Sequence, residues 1–145
     1  MENFEAQLMD IYQQTNQYGK LQGMELKHYE QGKIEYQMEI QNIHLATPKT
    51  AHGGVIAAYM DGIMGVTALT CSAKNLCLVS TVEFKINYLK PAFLGDVLTG
   101  KGSVISEGKR LIIAKGEIFN QNGELVSVAT GTFNAYPYQK SGMHF

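Results

Sequence analysis

HGGVIAAYMDGIMGVTALTCSA, running from His52 to Ala73, decides the fold. After His52 every residue in it is apolar, small or hydroxylic except Asp61. A helix over about residues 53–73 would be apolar on nearly every side, so it needs cover on nearly every side. The stretch from Val55 is also long enough to cross a bilayer. It carries an ionisable side chain and the interior glycines Gly62 and Gly65, and strands of alternating polarity follow it. That context fits a helix wrapped by a sheet, so no membrane partner is expected.

Working outward, MELKHYE (24–30) and KIEYQMEI (33–40) alternate in polarity around Gln31-Gly32, which predicts a β-hairpin. The loop NIHLATPKTA, punctuated by Pro48, leads into the helix. Beyond the helix, extended patterns cover Leu76–Leu89, Val97–Ile105, Arg110–Asn120 and Glu124–Tyr136. They are separated by Lys90-Pro91, by the turn Glu107-Gly108-Lys109 and by Asn122-Gly123, a strong hairpin signal. Residues 3–18 place Phe4, Leu8, Ile11 and Tyr12 at helical spacing, with Gly19 as the expected stop. The tail 137–145 reads as frayed. The expected fold class is α+β in a single domain over 1–145: an N-terminal helix over 1–20 and a curved antiparallel sheet wrapped around one long central helix. Tyr36, Phe84, Ile86, Tyr88, Ile112 and Phe119 exceed what one inner sheet face holds. An apolar outer patch beside a free sheet edge predicts self-association.

The chain has 145 residues, a formal net charge of −1 and 17% charged residues. No basic stripe exists, so nucleic acid is excluded as the expected partner. MENFEAQLMD at the N-terminus is not a basic segment followed by an apolar run. The expected location is therefore cytoplasmic, with Cys71 and Cys77 as free thiols. No metal-ligand spacing links His28, His44, His52 or His144, so no metal is expected.

The chemistry concentrates between His52 and Asp61. Gly53 and Gly54 sit where loop becomes helix, and the first N–H groups of a helix lack internal acceptors. With the helix dipole behind them, they suit an oxygen that is gaining negative charge. Two glycines by themselves fit a plain tight turn better than a binding site. Asp61 has Ala57, Ala58, Met64 and Gly65 as its helical neighbours, and none pairs with a carboxylate. It is either a working group in a cleft or part of an exposed stripe. Nine helical residues rotate by about 900° and rise about 13.5 Å, which puts His52 and Asp61 on opposite sides. One site using both needs a second chain, as in a two-fold dimer with antiparallel helices. Ser80 and Thr81 on the next strand offer hydroxyls, although threonine is also simply a good strand residue.

With those residues in view, the chain resembles the hotdog-fold thioesterases, and within them the phenylacetate-pathway (PaaI-type) group. The resemblance rests on HGG, the acidic residue nine positions after His52, and the run S80-T-V-E-F-K-I-N-Y-L-K-P-A92. It covers residues 24–136. It implies hydrolysis of acyl-CoA thioesters, aryl- or medium-chain, without metal or cofactor, by a homodimer or a dimer of dimers. It further implies that Gly53 N–H grips the thioester carbonyl beside His52. Asp61 from the facing subunit would activate water or attack, and Thr81 would position it. Gly54, Ser80, Tyr59, Lys90, Lys109 and Arg110 are the candidate substrate-binding residues, the three cations for CoA phosphates or as ordinary surface charges. The family usually has Asn where this chain has Ala46. Rival readings are a non-catalytic acyl-CoA binding module and a dehydratase or isomerase on the same fold.

Overall fold

The computed structural model describes residues 3–143. Six strands, β1 (Glu25–Glu30), β2 (Lys33–Glu39), β3 (Cys77–Tyr88), β4 (Val97–Glu107), β5 (Leu111–Phe119) and β6 (Leu125–Pro137), form one sheet. Their order is β1-β2-β4-β5-β6-β3, and every neighbouring pair is antiparallel. The helices are α1 (Phe4–Thr15), α2 (Gln17–Gln22) and the central α3 (Gly53–Ser72). α3 connects β2 to β3, which returns to the far side of β6, and the helix contacts every strand of the sheet.

The sheet makes room for the helix with small residues. Register aligns Ile34, Gly102, Gly116, Ala129 and Ile86 in one row across the five strands β2 to β3. A Cβ on Gly102 would run into Thr67 Oγ1, and one on Gly116 into Met60 Sδ. Gly100, two residues away, faces Ile63 and the Tyr59 hydroxyl in the same way. These glycines let the helix settle close to the strands. Tyr59, Met60, Ile63 and Met64 are consequently fully buried with Leu98, Ala114, Ile118 and Phe133. The span Gly53–Asn75 is long enough to cross a membrane and contains an 18-residue stretch of mean hydropathy 1.4, of which 61% is buried inside the protein.

Two expectations need correction. The N-terminal segment is two helices, and Gly19 lies inside the second. Asn16 breaks the run because its side chain caps α2 by accepting from Gly19 N–H, and Gly23 at φ 87° ends it. The tail is ordered further than expected: Tyr138–Ser141 form a 3₁₀ turn, anchored by Tyr138 N–H on Leu76 O at 3.0 Å. Of the six apolar residues too many for one inner face, Tyr36 and Ile112 belong to the core, Phe84, Ile86 and Phe119 are half-buried, and Tyr88 is exposed. His144 lies outside the described residues.

Candidate active site

The turn that starts α3 is built from backbone ties. His52 N–H donates to His44 O at 2.8 Å, and Ala51 N–H donates to Ala92 O at 2.8 Å. His44 is itself buried and clamped, taking Gln41 N–H on Nδ1 at 2.9 Å and meeting Gln22 O through Nε2 at 2.7 Å. Thr47 organises the loop between them. Its hydroxyl accepts from Thr50 N–H at 2.9 Å and Lys49 N–H at 3.3 Å. A side-chain oxygen therefore shapes this loop one position after Ala46.

His52 caps the helix. Its Nδ1 accepts from Gly54 N–H at 2.7 Å, which leaves the ring proton on Nε2. This bond occupies the Gly54 donor that the sequence reading offered to substrate. Gly53 N–H, one residue earlier, donates to no group among the described residues. From β3, Tyr88 donates its phenol to Gly53 O at 3.1 Å, so the Gly53–Gly54 peptide is held at its carbonyl by Tyr88 and at its N–H by His52.

Asp61 sits two turns along α3. Thr81 Oγ1 donates to its Oδ1 at 2.7 Å, whereas Oδ2 accepts no hydrogen bond among the described residues. The carboxylate opens onto a cavity of about 100 Å³ lined by Tyr12, Gly65, Leu69, Val79, Phe133 and Tyr136 among others. Burial, reinforced by the Asp61 charge and then by Tyr136, holds the Tyr12 phenol above its usual range. Neither His52 nor Gly53 lines this cavity, so within one chain the carboxylate and the free amide remain apart.

Other expected site residues lie elsewhere. Tyr59 is fully buried, and its hydroxyl donates to Leu98 O at 3.1 Å. Two residues before Asp61 is about 200° round a helix, which turns Tyr59 onto the sheet instead of the cleft. Ser80 is exposed and by strand alternation faces away from Thr81. Lys90 follows β3 near the Tyr88–Gly53 contact and pairs with Glu124 at 2.6 Å. Lys109 and Arg110 are exposed at the opposite end of β3, since Arg110 O takes Ala135 N–H and Ala135 faces Val79. The three cations thus share no single mouth in one chain. Tyr12, Gly65, Thr47 and Tyr88 were missed as contributors. Of these, only Tyr88 had a signal, its place just before Lys90-Pro91-Ala92. No cluster suited to a metal ion occurs among the described residues.

A family model described as the thioesterase superfamily matches residues 48–127, more than half of the chain and both halves of this site. The chain belongs to that superfamily. The thioesterase is 31% identical over 97 residues to human acyl-coenzyme A thioesterase 13, covering 66% of this chain and 68% of the relative. It is 22% identical over 130 residues to the medium/long-chain acyl-CoA thioesterase YigI of Escherichia coli K12, covering 80% and 83%. Among solved structures, the E. coli PaaI protein superposes with a TM-score of 0.82 at 22% identity, covering 91% of this chain and 93% of that one. That likeness identifies the architecture as the hotdog fold. A Streptococcus pneumoniae thioesterase solved with coenzyme A superposes with a TM-score of 0.73 at 29% identity, covering 79% and 90%.

Proposed function

We propose that this thioesterase hydrolyses acyl-CoA thioesters, aryl- or medium-chain, to the free acid and CoA, as a two-fold dimer in the cytoplasm. The observation that carries the mechanism is the Thr81–Asp61 hydrogen bond of 2.7 Å, which fixes one carboxylate oxygen and leaves the other without a partner among the described residues. Oδ2 accepts a proton from water as the water oxygen bonds to the thioester carbon, or attacks that carbon itself. The carbonyl electrons move onto oxygen, where Gly53 N–H of the facing protomer stabilises them. When the carbonyl re-forms, the C–S bond breaks and the CoA thiolate takes up the proton Asp61 took from water, or one from solvent; after direct attack, water then hydrolyses the acyl–Asp61 anhydride, releasing the acid and restoring the carboxylate. An amide grip of this kind is worth about 10²–10³ in rate.

The two-chain arrangement follows from separation: the amide and the carboxylate cannot converge within one helix. The edge strand β3 supplies a seam, with Val82, Tyr88 and Leu89 all more than half exposed. A non-catalytic acyl-CoA binder would have no use for a carboxylate oriented by a threonine in a cleft.

The test is a thioester panel with wild type and Asp61→Asn, followed by release of free CoA. The variant should lose about 10²–10⁴-fold in kcat while keeping its fold and its dimeric mass in light scattering. Full turnover by Asp61→Asn removes the carboxylate from the mechanism, and a monomer with full activity removes the partner.

A further inference from the structure

We infer that Gln22, at the end of α2, is a positioning residue for the Gly53 amide, which it steadies by closing a ring of four hydrogen bonds that passes through the His52–Gly53 peptide. This inference rests on the thioesterase reading.

The ring runs in one direction. His52 N–H donates to His44 O at 2.8 Å. His44 takes Gln41 N–H on Nδ1, so its ring proton sits on Nε2 and is donated to Gln22 O at 2.7 Å. Gln22 Nε2 donates to Val55 O at 2.8 Å, across 33 positions of sequence. Val55 N–H donates to His52 O at 3.0 Å, which returns to the start. His52 O and Gly53 N–H are the two ends of one planar peptide. Whatever holds Val55 against His52 O therefore aims Gly53 N–H. The next peptide, Gly53–Gly54, is fixed separately by Tyr88 and His52. Without these ties, two glycines in the first turn of a helix would have wide backbone freedom.

A merely structural glutamine would look different. Gln22 is 4% exposed, and its Oε1 is buried with no partner among the described residues. An unpaired buried acceptor lowers stability, so methionine or leucine would fill this place at least as well for the fold. Val55 O does not depend on the bond either, because it lies at the head of α3 and accepts from within the helix ladder. What the Gln22 amide supplies is direction: it ties the first turn of α3 to α2 and, through His44, to the loop that precedes the turn. An N–H that grips a developing oxyanion is effective when it is aimed beforehand, since reorientation during the reaction forfeits the gain.

The test is Gln22→Met, with Gln22→Leu as a second variant, followed by steady-state CoA release, thermal melting and amide hydrogen exchange. Both substitutions remove the donor and the unpaired acceptor together. Tm should hold or rise, whereas kcat should fall about fivefold to tenfold with KM within about twofold. Amide exchange at Val55 should quicken, while that at Ile63, deep in the same helix, stays as it was. A folded variant with wild-type kcat, or with unchanged exchange at Val55, overturns the positioning role and leaves the thioesterase reading intact. A loss of activity that only follows a lower Tm, or that appears in KM alone, overturns it too, as does failure of both variants to fold. Wild type that releases no CoA from any thioester overturns both readings.

Discussion

The two long sides of α3 handle empty space in opposite ways. Toward the sheet, glycines on the strands are filled by the helix: Ile63 and Tyr59 sit over Gly100, Thr67 over Gly102, and Met60 over Gly116. Toward β3 and α1, a glycine on the helix is filled by nothing, and the space opens beside Asp61. The same residue type serves close packing on one side and a cavity on the other. The difference shows only when one asks what a Cβ would meet. Interior density leaves few such voids, so an unfilled glycine beside a carboxylate marks a site.

The sharpest way to break this contrast is Gly102→Ala. Its Cβ would collide with Thr67 Oγ1 and press to 3.2 Å from the Ile63 backbone oxygen. Thr67 is β-branched, fully buried and bonded to Ile63 O at 2.7 Å, so it cannot yield easily. The substitution should cost about 3 kcal/mol in urea unfolding.

A second test uses the tyrosines of the two sides. Burial pushes the Tyr36 phenol up to about 12 despite the opposing bond from Gln13 Nε2 at 2.8 Å. In the unfolded chain the phenol titrates near 10. The unfolded state thus loses this proton first, and the contribution is whole below pH ~10 and lost as pH rises toward 12. Urea unfolding should therefore show stability falling by about 2 kcal/mol over that window through this group, and Tyr36→Phe should remove that fraction of the fall. On the cavity side, Tyr12 owes part of its upward shift to Asp61, so Asp61→Asn should bring its titration down toward the ordinary value in ultraviolet difference spectra.

On the open side Gly65→Ala should reverse the sign seen at Gly102. Removing backbone freedom without a clash should stabilise the fold by about 1 kcal/mol, read as a rise in Tm. Alanine tolerated at both positions, or at neither, would mean that the two sides are packed alike.

The extent to which these features were legible in the sequence follows from their range. The length of α3, the hairpins around Gly32 and Gly123, and the isolation of Asp61 are local or periodic, and periodicity reports which side of an element is buried. It does not report which strands become neighbours. The return of β3 to the side of β6 brings Thr81 to Asp61, puts Lys109 and Arg110 at one end of that strand and leaves Lys90 at the other. None of this is encoded within a short window. Tyr59 lies about 200° round the helix from Asp61, so its burial against the sheet follows from helix rotation, not from its closeness in sequence.

Thr81 gives the smallest effect and decides between two readings left open by sequence alone. If it is merely a good strand residue, Thr81→Val, which keeps the β-branch and removes the hydroxyl, should change nothing. If it holds Asp61, valine frees the carboxylate to rotate, and the loss should appear in kcat with little change in KM. About tenfold is expected, the kinetic equivalent of one hydrogen bond of about 1.4 kcal/mol. Thr81→Ser retains the donor and should restore most of the rate, even though serine is the poorer strand former. The hydroxyl is exposed in the single chain, so folding stability should move by less than about 0.5 kcal/mol in either variant. Steady-state kinetics with one good thioester separates the cases, because strand propensity ranks valine above serine and carboxylate positioning ranks serine above valine.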